Sequence, residues 1–441
     1  MEEFPITFAQ RFIYEVMQKL GPNASSLHVI TLVRINGPID IERFRLAADA
    51  LAHRLPILRA VLEVKRGNLV QRLGTIGPSV EVIDKPAADD SLASSIISPR
   101  ADDPIDIFSS SPLRIVILTT APDEAILLFV GHHMFMDATA LHRVLEEFLT
   151  IYADIDKNGG QVTGSSGYPD FFDYAMQEHE LLLDGTYDNR SQFWLRELEN
   201  GDPELHLNGR HRDPEMASSA FMSVGFEEEL FTAVRNRAAA IGVSVFAVLA
   251  SSVLYTLWDF VTQDSLALSV VSDTRMPPFH RTLGQFADIF VICESRADRG
   301  LDADAIRLLG GKLLDALVNR VPLSYFRENV PWLAERASRG NTMSDVYINY
   351  HPKVLRARGL SNLAGCAVAP FRLRDRNIDA NMPFYGKVIG FNFSPGARGE
   401  APLLGSIQYD SGVIKEDVAR AIRDAWLDNL NRLAFQEGQS P

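Results

Sequence analysis

The residues with the strongest claim to chemistry lie at 131–138, GHHMFMDA, where His132, His133 and Asp137 fall within one short turn. An imidazole titrates near neutral pH, so it can take a proton from an attacking hydroxyl or amine and return it later. The elements that must position these groups can be read on either side. Residues 125–130 (AILLFV) form a continuous apolar run, the pattern of a strand buried on both faces. Residues 139–151 (TALHRVLEEFLTI) carry helical spacing through Leu141, Val144, Leu145 and Phe148. The motif is therefore predicted to occupy a strand-to-helix turn. Asp137 is well placed to cap that helix, and the amides of Ala138 and Thr139 would then be free donors at the positive end of its dipole, a candidate oxyanion site.

Three readings of the motif follow from the residues themselves. In the first, Asp137 only caps the helix and the histidines are satisfied core groups. In the second, His133 and Asp137, four apart, share a helical face and hold a metal. The preceding strand speaks against that, and no other His, Cys, Asp and Glu cluster in the chain has metal-ligand spacing, so no metal is expected. In the third, one imidazole handles the nucleophile's proton during acyl transfer while its neighbours hold it in place.

HHMFMDA resembles the HHxxxDG signature of the condensation domains of nonribosomal peptide synthetases and of the wider chloramphenicol acetyltransferase-like superfamily. The resemblance runs in order along nearly the whole chain. Thr7-Phe8-Ala9-Gln10-Arg11-Phe12 is similar to the opening SxAQxRL segment, and His53-Arg54-Leu55-Pro56-Ile57-Leu58-Arg59 to RHExLR. Pro104-Ile105-Asp106-Ile107 and Pro112-Leu113-Arg114 resemble PFDL and PLxR, and Tyr168-Pro169-Asp170-Phe171 and Phe193-Trp194 resemble YxDF and YW. Leu283-Gly284-Gln285-Phe286 resembles IGxF, and Tyr347-Ile348-Asn349-Tyr350 the later FNY strand. There are departures. Ala138 stands in place of the usual glycine, Asp288-Ile289 in place of the common Asn-Thr, and Pro56 interrupts the RHExLR segment. The aspartate pair of the cyclization subgroup and the EGHGRE-like stretch of epimerization relatives are not found.

The resemblance implies an α/β protein of two chloramphenicol acetyltransferase-like subdomains, 1–167 and 168–441, arranged as a V-shaped pseudodimer with the histidine motif midway along a central tunnel. It implies that acyl, aminoacyl or peptidyl groups arrive as phosphopantetheine thioesters on a carrier protein, with no bound cofactor. An amine or hydroxyl, free or on a second carrier, attacks to give an amide or ester. His133 is carried over as general base or nucleophile-positioning group, with His132 in support. Asp137 is expected to be structural, paired with Arg59, and Ala138 is the backbone oxyanion candidate. Ser272, Arg275 and Asn349 are tunnel-wall candidates, with Arg275 expected to be solvated rather than facing a substrate. Two other classes share the signature. One is a coenzyme A-dependent acyltransferase of the BAHD type, whose DFGWG hallmark is faintly echoed at 383–387. The other is a non-catalytic platform that binds a carrier protein.

Composition is compatible with this picture. The 441 residues are 46% hydrophobic, enough for about two to four domains. With 43 basic against 57 acidic side chains the formal charge is −14, which disfavours a nucleic-acid or anionic-membrane partner. The two cysteines, Cys293 and Cys366, give no disulfide framework. The acidic amino terminus is unlike a signal peptide, and the most apolar long segment, 244–258, is shorter than the roughly 20 residues a membrane span needs. A cytoplasmic enzyme is expected. The chain starts at the domain's own beginning and stops soon after the last predicted helix, so a free-standing enzyme that meets its carrier in trans is expected too.

Both halves read as α/β. Strands are predicted at 27–35, 113–120, 266–272, 289–294, 346–350, 386–393 and 404–409, and a hairpin at 58–64 and 69–73 turning through 66–68. Asp40 caps a predicted helix with apolar face Ile41, Phe44, Ala48, Leu51 and Leu55. Further helices are predicted at 170–183, 227–241 with Gly242 at the C-cap, 244–258, 303–321 and 415–435. A flexible linker is predicted at 158–167 (NGGQVTGSSG).

Overall fold

A computed structural model describes residues 3–21, 27–155, 167–199, 201–208, 219–322, 325, 330–338, 344–350, 365–373, 388–395 and 403–435. Apart from Gly167 the predicted linker lies outside the described residues, as do 383–387 and the first two residues of the strand predicted at 386–393. The chain divides into two compact units. One comprises Met1–Gly185, Asp273–Ala287 and Leu355–Ile378, and the other Thr186–Ser272, Asp288–Val354 and Asp379–Pro441. This division differs from a cut at 167/168, and the reason is visible after the linker. The helix Phe171–Leu183 belongs with the amino terminus: Phe172 stacks on Phe4 at 4.5 Å, and Glu178 accepts the amide of Phe8 at 2.7 Å.

The first unit runs β1 (Glu3–Pro5), α1 (Phe8–Leu20), β2 (His28–Asn36), α2 (Ile41–Arg54), β3 (Ala60–Lys65), β4 (Asn68–Leu73), β5 (Ser79–Asp84), α3 (Asp90–Asp102), β6 (Leu113–Ala121), β7 (Glu124–His132), α4 (Ala138–Ile155) and α5 (Phe171–Leu183). A small sheet has the order β1-β4-β3, and its β3–β4 hairpin turns at Arg66 and Gly67, both with positive φ as a two-residue primed turn requires. The main sheet is five-stranded, with β7 antiparallel to both β2 and β6, β5 parallel to β6, and β12 (Ala367–Pro370) added antiparallel to the far side of β2. The apolar run in β7 is fully buried from Ala125 to Val130 because both faces of the sheet are covered. Ile126, Leu128 and Val130 pack with Ala93, Ile97 and Ala101 of α3, while Phe129 meets Phe148 of α4 edge-on at 5.1 Å. A strand covered on both sides reads as a continuous hydrophobic run rather than an alternation, which explains the pattern in the sequence.

The second unit contains α6 (Thr186–Glu197), β8 (Ser219–Phe226), α7 (Glu228–Ile241), α8 (Val245–Leu257), β9 (Ser265–Asp273), β10 (Ala287–Ser295), α9 (Ala303–Val318), α10 (Pro331–Ser338), β11 (Val346–Tyr350), β13 (Ile389–Pro395), β14 (Leu403–Asp410) and α11 (Glu416–Phe435). Its sheet is six-stranded in the order β10-β9-β11-β13-β14-β8. Trp426 of α11 inserts among Phe226, Phe391 and Phe393 and donates its indole N–H to Ser252 of α8 at 3.0 Å, so this large core side chain also has its polar atom satisfied. Gly242 ends α7 in the left-handed conformation, as predicted. No single helix among the described residues is long and apolar enough to cross a membrane, and the apolar 244–258 segment is the core helix α8.

Candidate functional site

β7 delivers His132 as its last residue, and the chain then turns through Met134, Phe135 and Met136, all fully buried, into α4. These apolar side chains anchor the turn. Gly131 is part of that packing, since a Cβ there would meet Leu141 and Met136 at 3.2 Å.

The two histidines face different surroundings. His132 is 2% exposed, pairs in register with His28 on β2, and stands edge-on to that ring at 5.9 Å. Its Nδ1 accepts the amide of Met134 at 3.1 Å. Burial pushes its pKa down to about 3, with the rings of His28 and His133 adding to the push. His132 is thus a neutral core group that fixes the turn. His133 is only partly buried, and its Nδ1 lies 2.9 Å from Oε1 of Gln285. No partner is found for its Nε2 among the described residues.

Asp137 caps α4, as predicted, accepting the amide of Ala140 at 2.7 Å through Oδ1. It does more than cap. The same oxygen accepts Nη2 of Arg275 at 2.9 Å, and Oδ2 accepts the amides of Phe286 at 3.0 Å and Ala287 at 3.2 Å. Its own amide donates to the carbonyl of Gly284 at 3.3 Å. Burial alone would raise this carboxyl's pKa, but the Arg275 charge and the hydrogen bonds from Arg275, Ala140 and Phe286 outweigh it and hold the pKa below the ordinary value. The carboxylate is buried with both oxygens occupied, which suits a structural anion and leaves it no capacity to accept a substrate proton.

The partner of Asp137 is therefore Arg275, where the sequence pattern suggested Arg59. Arg59 ends a short 3-10 turn after α2 and points back at that helix, its Nε donating at 3.1 Å to the carbonyl of Ala52, one of the carbonyls left open in the last turn. Arg275 in turn is neither solvated nor available to a substrate. Its guanidinium donates to Thr282 (3.0 Å), Asp273 (2.8 Å), Asp137 and Gly284 (3.0 Å), and its face lies 4.4 Å from the Phe286 ring centroid. Such a planar, multi-donor cation suits a buried node, and four of its hydrogen bonds here go to oxygens.

The segment 283–287 is thus bound to the motif through Asp137. Gly284 is needed there because a Cβ would fall 2.0 Å from the ring of Phe171, itself the phenylalanine of the YPDF segment. Ala138 and Thr139 are partly exposed at the start of α4, and no acceptor for their amides is found among the described residues. Ser272, on β9, and Asn349, buried on β11 opposite Asn392, belong to the second unit. Gln285 falls within the 283–289 stretch that the resemblance places near the tunnel wall, but the sequence gives it no role of its own. It occupies the variable position of the LGQF segment, 152 residues from His133, and nothing local marks it. Among the described residues, no group of three His, Cys, Asp or Glu side chains could hold a metal ion.

Comparison with known proteins gives the arrangement its context. The Condensation domain family matches residues 1–335. Surfactin synthase subunit 1 of Bacillus subtilis is 23% identical over 448 residues, covering 99% of this chain and 12% of its own length. The probable non-canonical nonribosomal peptide synthetase CymA of Salinispora arenicola is 23% identical, covering 99% of this chain and 6% of its own length. The chain thus spans only a small part of these curated relatives. Among solved structures, the condensation domain from the monacolin K polyketide synthase MokA superposes with a TM-score of 0.79 at 16% identity, covering 99% of this chain and 98% of the other. The starter condensation domain of the rhizomide synthetase RzmA, in complex with C8-CoA, gives 0.75 at 14% identity, with 98% and 95% covered. SgcC5 from Streptomyces globisporus gives 0.74 at 18% identity, with 98% of each chain covered.

Proposed function

The chain belongs to the condensation-domain family, and from that premise we propose that it transfers a carrier-protein-bound acyl, aminoacyl or peptidyl group from its phosphopantetheine thioester to an amine or hydroxyl acceptor. Family membership makes it an acyltransferase of the amide-forming condensation type. In the finer reading its two compact units are acetyltransferase-like subdomains, and it works in the cytoplasm with a carrier protein supplied in trans.

The observation that carries this reading is the contrast within the motif: the part-exposed ring of His133 offers an unengaged Nε2, while His132 and Asp137 are buried and occupied. In the proposed step the acceptor's lone pair attacks the thioester carbonyl and its proton passes to Nε2 of His133. The tetrahedral oxyanion then collapses, breaking the C–S bond, and the proton goes to the departing sulfur. The amide of Ala138, a part-exposed residue at the N-terminal end of α4, is the oxyanion donor we assign. Help of this kind from one base contributes about 10² to 10⁴ in rate.

Two neighbours bear on the substrates. The RzmA starter domain is seen with C8-CoA, which keeps acyl-coenzyme A as the alternative donor. SgcC5 is seen with a naphthyl ethanediol, which keeps a hydroxyl acceptor and an ester product in view. The deciding experiment incubates the protein with acyl-loaded carrier proteins, or with octanoyl-coenzyme A, and a panel of amines and alcohols. Intact-mass analysis then follows loss of the acyl group and gain of product, with His133→Ala as control. Transfer from the carriers that depends on His133 supports the reading. Transfer from octanoyl-coenzyme A alone moves the donor to coenzyme A, and full turnover by His133→Ala removes the proposed base.

A further inference from the structure

We infer that Gln285 is a positioning residue that sets the tautomer of His133, holding the proton on Nδ1 so that the lone pair sits on Nε2. The inference rests on the reading of His133 as base. An unconstrained neutral histidine side chain in water prefers the opposite tautomer, with the proton on Nε2, and in that form Nε2 accepts nothing. A device that inverts the preference keeps the base in the one neutral form that can accept the proton.

The geometry supplies one. Oxygen and nitrogen of a glutamine amide look alike by shape, so their orientation must come from the hydrogen-bond network. Here the amide Nε2 of Gln285 lies 2.8 Å from the carbonyl oxygen of Ala287, which can only accept. The NH2 group must face that carbonyl, so Oε1 faces Nδ1 of His133 at 2.9 Å and requires a proton on it. The reverse orientation would set two carbonyl oxygens against each other. Gln285 is 1% exposed, so water does not compete for either end. The carbonyl that orients it is itself held, because the amides of Phe286 and Ala287 donate to Asp137, whose charge is met by Arg275. A line of contacts thus runs from Arg275 through Asp137 and the 286–287 backbone to Gln285 and on to His133. The histidine and aspartate of the motif are coupled through residues far away in sequence.

The choice of an amide also matters. A carboxylate at 285 would orient the ring as well, but would favour the imidazolium and so occupy the base with its own proton. A neutral acceptor sets the tautomer without that penalty.

The test needs no substrate. Histidine-selective 15N labelling, recorded near pH ~8 where an ordinary imidazole is neutral, reports which ring nitrogen carries the proton. The His133 signals are identified by their loss in His133→Ala. The inference expects Nδ1–H in the native protein, a shift toward Nε2–H in Gln285→Leu, and retention of Nδ1–H in Gln285→Glu, which keeps an acceptor oxygen. Nε2–H in the native protein overturns it outright, as does a tautomer indifferent to Gln285→Leu. If the leucine variant does not fold, the native and Gln285→Glu spectra still decide. In the turnover assay above, Gln285→Leu is expected to lower kcat several-fold with little change in KM, whereas Gln285→Glu, whose charge favours the imidazolium, is expected to be slow at neutral pH and to recover as pH rises. The double variant with His133→Ala should be no slower than His133→Ala alone. Should His133→Ala keep full turnover while the spectra behave as expected, the base assignment fails and the tautomer device stands. Should His133→Ala be inactive while Gln285→Leu leaves spectrum and rate untouched, only the role of Gln285 fails.

Discussion

His132 and His133 are neighbours in sequence with opposite surroundings. The ring of His132 closes the sheet, 2% exposed, with Nδ1 accepting a backbone amide and its pKa driven down to about 3. The ring of His133, just past the strand, is part-exposed, with Nδ1 turned to the oxygen of a buried glutamine. One is neutral because burial forbids its charge, and its lone pair at Nδ1 is consumed. The other keeps a nitrogen open. Residue type alone therefore says little about role in a histidine pair. The end of a strand, where successive side chains point to opposite faces, can present one ring to the core and one to a substrate.

That contrast breaks most sharply at His133. Replacement by alanine is expected to cost about 10² to 10⁴ in kcat while changing stability by no more than ~1 kcal/mol, the worth of one modest hydrogen bond. Turnover in the carrier-protein assay and urea unfolding measure the two sides. A fall well below tenfold would assign the ring to substrate positioning rather than proton transfer.

Asp137→Ala should invert the pattern. It removes the cap of α4, the counter-charge of Arg275 and the acceptor for the 286–287 amides together, so a loss of about 3–5 kcal/mol is expected, as for breaking other buried ion pairs. Turnover per folded molecule should fall too, because the segment carrying Gln285 is released. Unfolding curves unchanged from the native protein would contradict the structural role given to this carboxylate.

Much of this was legible in the sequence, for identifiable reasons. β7 and α4 announced themselves because one is covered on both faces and the other buries a stripe, so both wrote their period in apolar residues. Asp137 was legible as a cap because capping is local. Its cation was not, since Arg275 lies 138 residues downstream and only the folded chain brings them together. Gln285 was hidden for the same reason, its function residing in an orientation set by the Ala287 carbonyl. Among elements, α3 escaped because its serines and the interior Pro99 weaken every helical signal, and its helix is stabilised by packing on the sheet. β8 (SAFMSVGF) alternates weakly and is set by its antiparallel register with β14.

A smaller effect than either substitution separates the histidines by pH. The folded pKa of His132 lies near 3 against an ordinary 6.5, so between those values the unfolded chain binds the extra proton and stability rises with pH. The contribution is complete above about pH 6.5 and is lost as pH falls toward 3, on the order of 5 kcal/mol across the window, of which only part is reached by pH 5. The groups acting on the ring are His28 across the sheet and His133 beside it. Asp137, with its pKa lowered, affects stability only below the ordinary carboxylate value of 3.8, so the two windows barely overlap. His132→Asn keeps an acceptor near the Met134 amide but does not titrate. Its unfolding free energy in urea should therefore depend less on pH between 7 and about 5 than that of the native protein. Equal slopes would mean that the buried ring is already reached by protons in the folded state.

The smallest expected effect belongs to Arg59, and it separates a pairing inferred from pattern from one made in space. If Arg59 neutralised Asp137, its loss would resemble Asp137→Ala, with a buried carboxylate left unpaired. Its Nε instead donates to the carbonyl of Ala52 in the last turn of α2, a contact whose removal costs about 0.5–1.5 kcal/mol. Arg59→Ala should therefore shift the urea midpoint slightly and leave kcat near native, whereas Arg275→Ala should be severe in both. A destabilisation by Arg59→Ala as large as that of Arg275→Ala would mean that both arginines serve the carboxylate. Near-additivity of Arg59→Ala with Asp137→Ala would confirm that they do not touch.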